Sequence, residues 1–213
     1  LFRSTLHFPL WNKQRGIPKA YTRLIQYNDS LFIGTSFMPK EISVELMNLK
    51  TEKVVNSVNF PLKPKEGEYS RPYECKIATE MNFIVAAYRY INRLEIYKLS
   101  DQKFQLNTII GDANNQYDLY RLNKDNEMIL HYSDIVCGKN QIYALYRGVK
   151  EKELSSANSK IEVYSYDGTH LRTFDLGRSI EKILVDESSM RIYAFDRNEE
   201  KDIVFCYAIE SNT

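Results

Sequence analysis

Hydrophobic positions along most of this chain do not recur at helical spacing. They come instead in short β-branched and aromatic runs separated by turn residues, which predicts many short strands. Four of these runs share a pattern, a small residue between two larger ones: Ile33-Gly34-Thr35, Val85-Ala86-Ala87, Tyr143-Ala144-Leu145 and Tyr193-Ala194-Phe195. The small residues are 52, 58 and 50 positions apart (34 to 86, 86 to 144, 144 to 194). A period of about fifty residues is that of one four-stranded propeller blade.

The flanking segments keep the same phase. An apolar strand precedes each small-residue strand at 24–28, 76–81, 134–138 and 182–186, and an alternating strand follows at 42–46, 94–97, 161–164 and 204–207. Each of these following strands has the period-two pleat of a sheet. A fourth strand is predicted at 54–62, 104–110 and 171–176, the last reached through the Asp167-Gly168 turn; the fourth unit has none. Phe8-Pro9-Leu10 repeats Phe60-Pro61-Leu62 at the same spacing, so 2–10 reads as an outer strand without its own preceding three. Pairing such a strand with the last blade would close a four-bladed ring, satisfying backbone groups that an open edge leaves unpaired. The count fits equally a larger ring lacking N-terminal blades. The fold class expected is therefore all-β, a β-propeller of four-stranded antiparallel blades. It forms one domain over 1–213 with units at 20–62, 72–110, 128–176 and 179–208 and an outer strand at 1–10. The polar stretch between Gly111 and Glu127 reads as a surface loop, and it lacks the calcium-loop spacing of acidic residues and glycine.

Composition narrows the function more than the fold. Lys plus Arg number 29 against 28 Asp plus Glu, so no overall field draws phosphate backbones or anionic lipid, and nucleic acid is not an expected partner. Cys75, Cys137 and Cys206 form no C-x-x-C pair and read as a buried thiol in each strand. No apolar run is long enough to span a membrane, and the chain as given shows no basic-then-apolar signal pattern; a start at Leu1 without Met reads as the removal of either a leader or a substantial piece upstream. His7, His131 and His170 lie far apart in the sequence and form no H-E-x-x-H pattern, so no metal site and no cofactor is expected.

The segments 86–97, 142–148 and 161–168, with 183–186 and 192–195 at the C-terminal end, resemble the TolB-like six-bladed propeller proteins common among Bacteroidetes. The resemblance runs from about Ala20 to the C-terminus. It implies an extracytoplasmic location, in the periplasm or at the cell surface and often as a lipoprotein, and a ring longer by roughly two blades. It thus favours four C-terminal blades of a six-bladed ring over a closed ring of four. It carries no catalytic residue.

Where the second strand of each unit ends, the chain enters the propeller face that usually binds ligands, and an aromatic or Arg recurs there: Phe37, Tyr88 with Arg89, Tyr146 with Arg147, and Asp196 with Arg197. Arg forks and Tyr faces could hold a carboxylate, a sugar or a peptide; the alternative is that they brace loops through backbone hydrogen bonds and stacking. Arg71, in 69–73, and His131, in 131–134, precede inner strands and should reach the same face. His131 with Asp134 is the one conceivable catalytic pair, set below an ordinary hydrogen-bonding role. The reading that results is a non-enzymatic binding or scaffold propeller with ligand-binding residues Tyr88, Arg89, Tyr146, Arg147, Arg197, Arg71 and His131, and a protein, peptide or glycan as partner. The alternative is a glycan-acting hydrolase or lyase with its site at the channel mouth.

Overall fold

The computed structural model describes residues 21–38, 41–61, 75–80, 82–112, 128–196 and 203–209. Apart from one 3₁₀ turn at Glu151–Glu153, the regular structure there is β-strand. The first sheet is β1 (Tyr21–Gln26), β2 (Leu31–Met38), β3 (Glu41–Asn48) and β4 (Lys53–Pro61). The second is β5 (Cys75–Glu80), β6 (Phe83–Tyr88), β7 (Arg93–Ser100) and β8 (Lys103–Gly111). The third is β9 (Ile129–Cys137), β10 (Gln141–Lys150), β11 (Lys160–Ser165) and β12 (His170–Asp175). The fourth has three described strands, β13 (Lys182–Asp186), β14 (Arg191–Phe195) and β15 (Val204–Ala208). Every sheet is an antiparallel meander in chain order. No helix among the described residues is long and apolar enough to cross a membrane.

The alternation seen in the sequence becomes packing on both faces. In β6, Ile84, Ala86 and Tyr88 pack with Ile33, Val44, Leu46 and Phe60 of the first sheet. Val85 and Ala87, pointing the other way, pack with Ile135, Ile142 and Ala144 of the third. The third sheet repeats this, its Tyr143, Leu145 and Val163 meeting Ile183, Ile192 and Ala194 of the fourth. Sheets buried on both sides and packed in sequence are how propeller blades stack, and burying each such Ile or Leu is worth about 1.5–3 kcal/mol. Ala86, Ala144 and Ala194, all fully buried, each face the preceding sheet, so the small-residue column lets one blade approach the next. The described strands do not close into a ring.

Hairpin turns at one end are closed by Asn and Asp. Asn28 Oδ1 accepts from Ser30 N and Leu31 N, Asn48 Oδ1 from Lys50 N and Thr51 N, and Asp186 Oδ1 from Ser188 N and Ser189 N. Asx side chains that mimic a backbone turn fix these hairpins and hence the strand register. The opposite end carries the β2–β3 type loops and the connections between blades, and it presents the expected functional residues.

Three readings of the sequence need correction. The 131–134 segment is not a loop before the inner strand: β9 begins at Ile129, because bulges in β10 between Leu145 and Val149 let the pairing continue to Lys150. For the same reason Tyr146 and Arg147 lie inside β10 and not at its end. Cys206 is exposed, since the outer face of the fourth sheet has no described blade packed on it; Cys75 and Cys137 are half-buried. Arg71, Arg197 and the outer strand expected at 1–10 lie outside the described residues, as does most of the 111–127 loop.

Candidate functional site

Arg89, His131 and Tyr146 come together at the seam between the second and third sheets, whereas Tyr88 faces the first sheet. The β6–β7 connection is a short bend over 89–92, tied to the third sheet by a backbone bond from His131 N to Arg89 O of 2.7 Å. Tyr90 reaches across the same seam, donating its hydroxyl to Glu151 Oε1 at 2.8 Å. The Arg89 guanidinium carbon lies 5.5 Å from the Tyr90 ring centroid, within cation–π range. Tyr88, the last residue of β6, is buried against the first sheet and is not part of this seam.

Behind this edge is a cluster of rings. The His131 and Tyr146 ring centroids are 6.0 Å apart, and the Tyr132 ring meets Tyr146 edge-on at 5.3 Å. The Tyr132 hydroxyl lies 3.3 Å from both Asn92 Oδ1 and Glu162 Oε2, and the Tyr164 hydroxyl donates to Glu162 Oε2 at 2.8 Å. Gly148 makes this arrangement possible: at φ 64° it adopts a backbone that L side chains avoid, and a Cβ there would sit 2.6 Å from the Tyr146 ring. Gly111, at φ 83°, serves the neighbouring loop, where a Cβ would fall 2.0 Å from Asn92 O.

The electrostatics follow from burial. Desolvation raises the Tyr132 phenol far above its usual value and Tyr146 also upward, with Glu162 adding to both. These hydroxyls therefore stay protonated, and that of Tyr132 is placed to donate to Glu162 or Asn92. Burial lowers the His131 imidazole, against an opposing pull from Asp112, so its neutral form is favoured, and its Nδ1 is buried with no hydrogen-bond partner among the described residues. Asp134 points away from this cluster: it accepts from Ile183 N at 3.0 Å, towards the fourth sheet, and no hydrogen bond joins it to His131. The two residues weighed as a catalytic pair are thus not brought together.

Arg147 takes a bracing position. It is buried, and its guanidinium donates to Ile180 O at 2.7 Å, Ser179 Oγ at 2.8 Å, Ala157 O at 3.4 Å and Leu154 O. It ties the β10–β11 connection to the segment that leads into the fourth sheet. Glu162 was overlooked in the sequence, although a signal was present. A Glu stands directly across from the small residue in three units, in the pairs Gly34 with Glu45, Ala86 with Glu95 and Ala144 with Glu162. In two of them a Tyr two positions on donates to that Glu, Tyr97 to Glu95 and Tyr164 to Glu162, each at 2.8 Å.

The sequence matches the TolB-like 6-blade propeller-like family over residues 12–188. The chain belongs to that family. No curated protein matches this TolB-like chain. Among solved structures it is similar to the WD40 domain of Toxoplasma gondii coronin, with 9% identity, 92% of this chain and 44% of that chain covered and a TM-score of 0.54. It is also similar to the Kuenenia stuttgartiensis hydrazine synthase, with 11% identity, coverage of 92% and 49%, and a TM-score of 0.53. At such identities the likeness is one of fold. The TolB-like chain spans less than half the length of these two structures.

Proposed function

We propose that this chain is a non-enzymatic, extracytoplasmic binding or scaffold propeller, its four blades part of a six-bladed ring, engaging a protein, peptide or glycan at the mouth beside Arg89. The observation that carries this reading is the seam itself. An Arg within cation–π range of Tyr90, a half-buried His131 whose Nδ1 has no hydrogen-bond partner among the described residues, and the Tyr146 ring beside it lie together on the loop-bearing end of a family member. Such a set recognises oxygen-rich ligands by hydrogen bonds and stacking, and needs no proton transfer to do so. The family supports the extracytoplasmic part. Arg71 and Arg197 are proposed as additional contacts, by their place in the repeat. Arg147 is proposed to shape the mouth indirectly, through the loops it braces.

Screening the purified protein against glycan and peptide arrays tests the reading. Arg89→Ala with His131→Ala is expected to weaken the best ligand at least tenfold with no change in fold; unchanged binding removes the site. The glycan-acting hydrolase or lyase remains the second reading, because the Glu162 carboxylate lies in the same ring cluster, beside the Tyr132 and Tyr164 hydroxyls. It requires turnover of a polysaccharide that Glu162→Gln abolishes.

A further inference from the structure

The carboxylates that stand across from Ala86 and Ala144 are equivalent in register but differ in what engages them. In the second sheet Glu95 is saturated. Arg93, two residues before it, donates from Nε at 2.8 Å and pairs through a terminal nitrogen at 2.6 Å, and Tyr97 donates to the other carboxylate oxygen at 2.8 Å. In the third sheet the residue two before Glu162 is Lys160, which is exposed and whose side chain makes no ion pair or hydrogen bond among the described residues. Glu162 Oε2 accepts from Tyr164 at 2.8 Å, while Oε1 has no hydrogen-bond partner among the described residues.

Two further groups with bonding capacity to spare stand beside this carboxylate. Asn92, in the bend that follows β6, places its Oδ1 3.3 Å from the Tyr132 hydroxyl, which lies 3.3 Å from Glu162 Oε2 as well. One phenol proton cannot serve both acceptors fully. The Asn92 amide nitrogen has no partner among the described residues, and the backbone holds this residue in place, with Asp112 N donating to Asn92 O at 2.7 Å. Tyr146 meets Tyr132 edge-on, ring centroids 5.3 Å apart, and its hydroxyl likewise has no hydrogen-bond partner among the described residues. Asn92, Tyr146 and Glu162 are all half-buried, and their unused atoms are not sealed from solvent. A carboxylate oxygen, an amide nitrogen and a phenol, drawn from two neighbouring sheets, thus meet around the Tyr132 ring.

We infer that Glu162, Asn92 and Tyr146 form a subsite for one neutral sugar residue of a glycan, whose adjacent hydroxyls bond to Glu162 Oε1, the Asn92 amide and the Tyr146 phenol. The inference rests on the loop-bearing end being a binding mouth, and it selects glycan among the ligands proposed there. Donors and acceptors decide the choice. An ionised carboxylate only accepts, an amide nitrogen only donates and a phenol does either; sugar hydroxyls, which donate and accept, satisfy all three together, whereas the groups of a peptide backbone are fixed in role. Bonds to Glu162 are charge-assisted and therefore the strongest of the set. Lys160 and Arg89 balance Glu162 and Asp112 along the seam, so no net field draws an anion, and an acidic sugar would meet the Glu162 carboxylate directly. Tyr164 positions that carboxylate by holding its other oxygen.

The test titrates the folded protein with cellotetraose, maltotetraose and mannotetraose and, as the acidic counterpart, tetragalacturonic acid, read by calorimetry and by NMR shifts of residues 92, 146 and 162. Saturable binding of at least one neutral tetrasaccharide is expected, at least tenfold tighter than that of the acidic one. Glu162→Gln, which keeps an acceptor for Tyr164, and Asn92→Ala, on the neighbouring sheet, are each expected to weaken it at least tenfold while the amide shifts of β6 and β10 are retained. No saturable binding of any neutral probe, tighter binding of the acidic one, or an unchanged affinity in either variant overturns the subsite. A peptide ligand that Arg89→Ala with His131→Ala weakens, in the absence of sugar binding, overturns the subsite and leaves the mouth standing. Neutral sugar binding that is lost in Glu162→Gln but unchanged in that double variant supports the subsite and removes the Arg89 and His131 contacts.

Discussion

Arg147 shows how a residue read as a rim contact comes to be part of the frame. Its side chain extends from a strand that bulges at Gly148, and the carbonyls of Leu154, Ala157 and Ile180 converge on it. Burial disfavours its charge, and the carboxylates of Glu181 and Asp196 offset this only in part. Hydrogen bonds to a charged group in such a place are worth roughly 1.5–3 kcal/mol, and removing the donor also leaves buried acceptors unpaired. Arg147→Ala is therefore expected to cost about 2–4 kcal/mol, read as a lower urea midpoint at constant slope. Arg147→Lys should recover less than half, because one ammonium cannot reach acceptors arranged for a planar fork. A loss below about 0.5 kcal/mol in the alanine variant would mean that the loops hold themselves. From sequence, Arg147 and Arg89 look alike, each following a Tyr in the same register. What separates them is the length of the following loop, four bent residues after β6 against a long connection after β10 that folds back over the side chain.

At the level of strands and sheets, the controlling feature is the small-residue column. Ala144 is fully buried, paired with Glu162 across β11, and faces Ala87 and Ile96 of the preceding sheet. Ala144→Leu is expected to destabilise by about 1–3 kcal/mol through overpacking. It should also weaken the Tyr132–Glu162 contact, visible as faster exchange of amides in β9. A variant as stable as the parent would show that the sheets have room to spare. This column, the strand phases and the count of units were legible because period-two alternation and a repeat near fifty residues are properties of the sequence itself. The limits of β9 and β10 were not, because bulges depend on a glycine at positive φ and on a neighbouring ring, and neither leaves a periodic mark. The Glu-x-Tyr pairs at 95–97 and 162–164 were visible as pleated strands, yet their role emerges only from the hydroxyls that reach each carboxylate within its own sheet. The meeting of Arg89 with His131 is likewise a product of packing, since 42 residues separate them in the chain.

For the molecule as a whole, stability is set by how many faces each sheet covers. The second sheet is packed on both sides, and Ile84, Val85, Ala86 and Ala87 are all fully buried. The fourth has one described partner; Leu184 is 52% exposed and Val204 47% on its other face, and β15 lacks the outer strand that β3, β7 and β11 each have among the described residues. In a stacked repeat, stability is approximately a sum of each unit and its interfaces, so a unit with one interface opens first. Native-state hydrogen exchange on this chain is expected to show β13–β15 exchanging through a local opening well below the global free energy, with β6 and β7 at the global limit. Ile192→Ala, which removes a buried contact with the third sheet, should cost about 2–5 kcal/mol of that local opening and leave the exchange of β6 unchanged. Ile84→Ala, in the doubly covered sheet, should lower protection everywhere. If Ile192→Ala instead reduced protection in all four sheets alike, the blades would be unfolding as a single cooperative body, and coupling between neighbouring sheets would have to exceed the stability of any one of them.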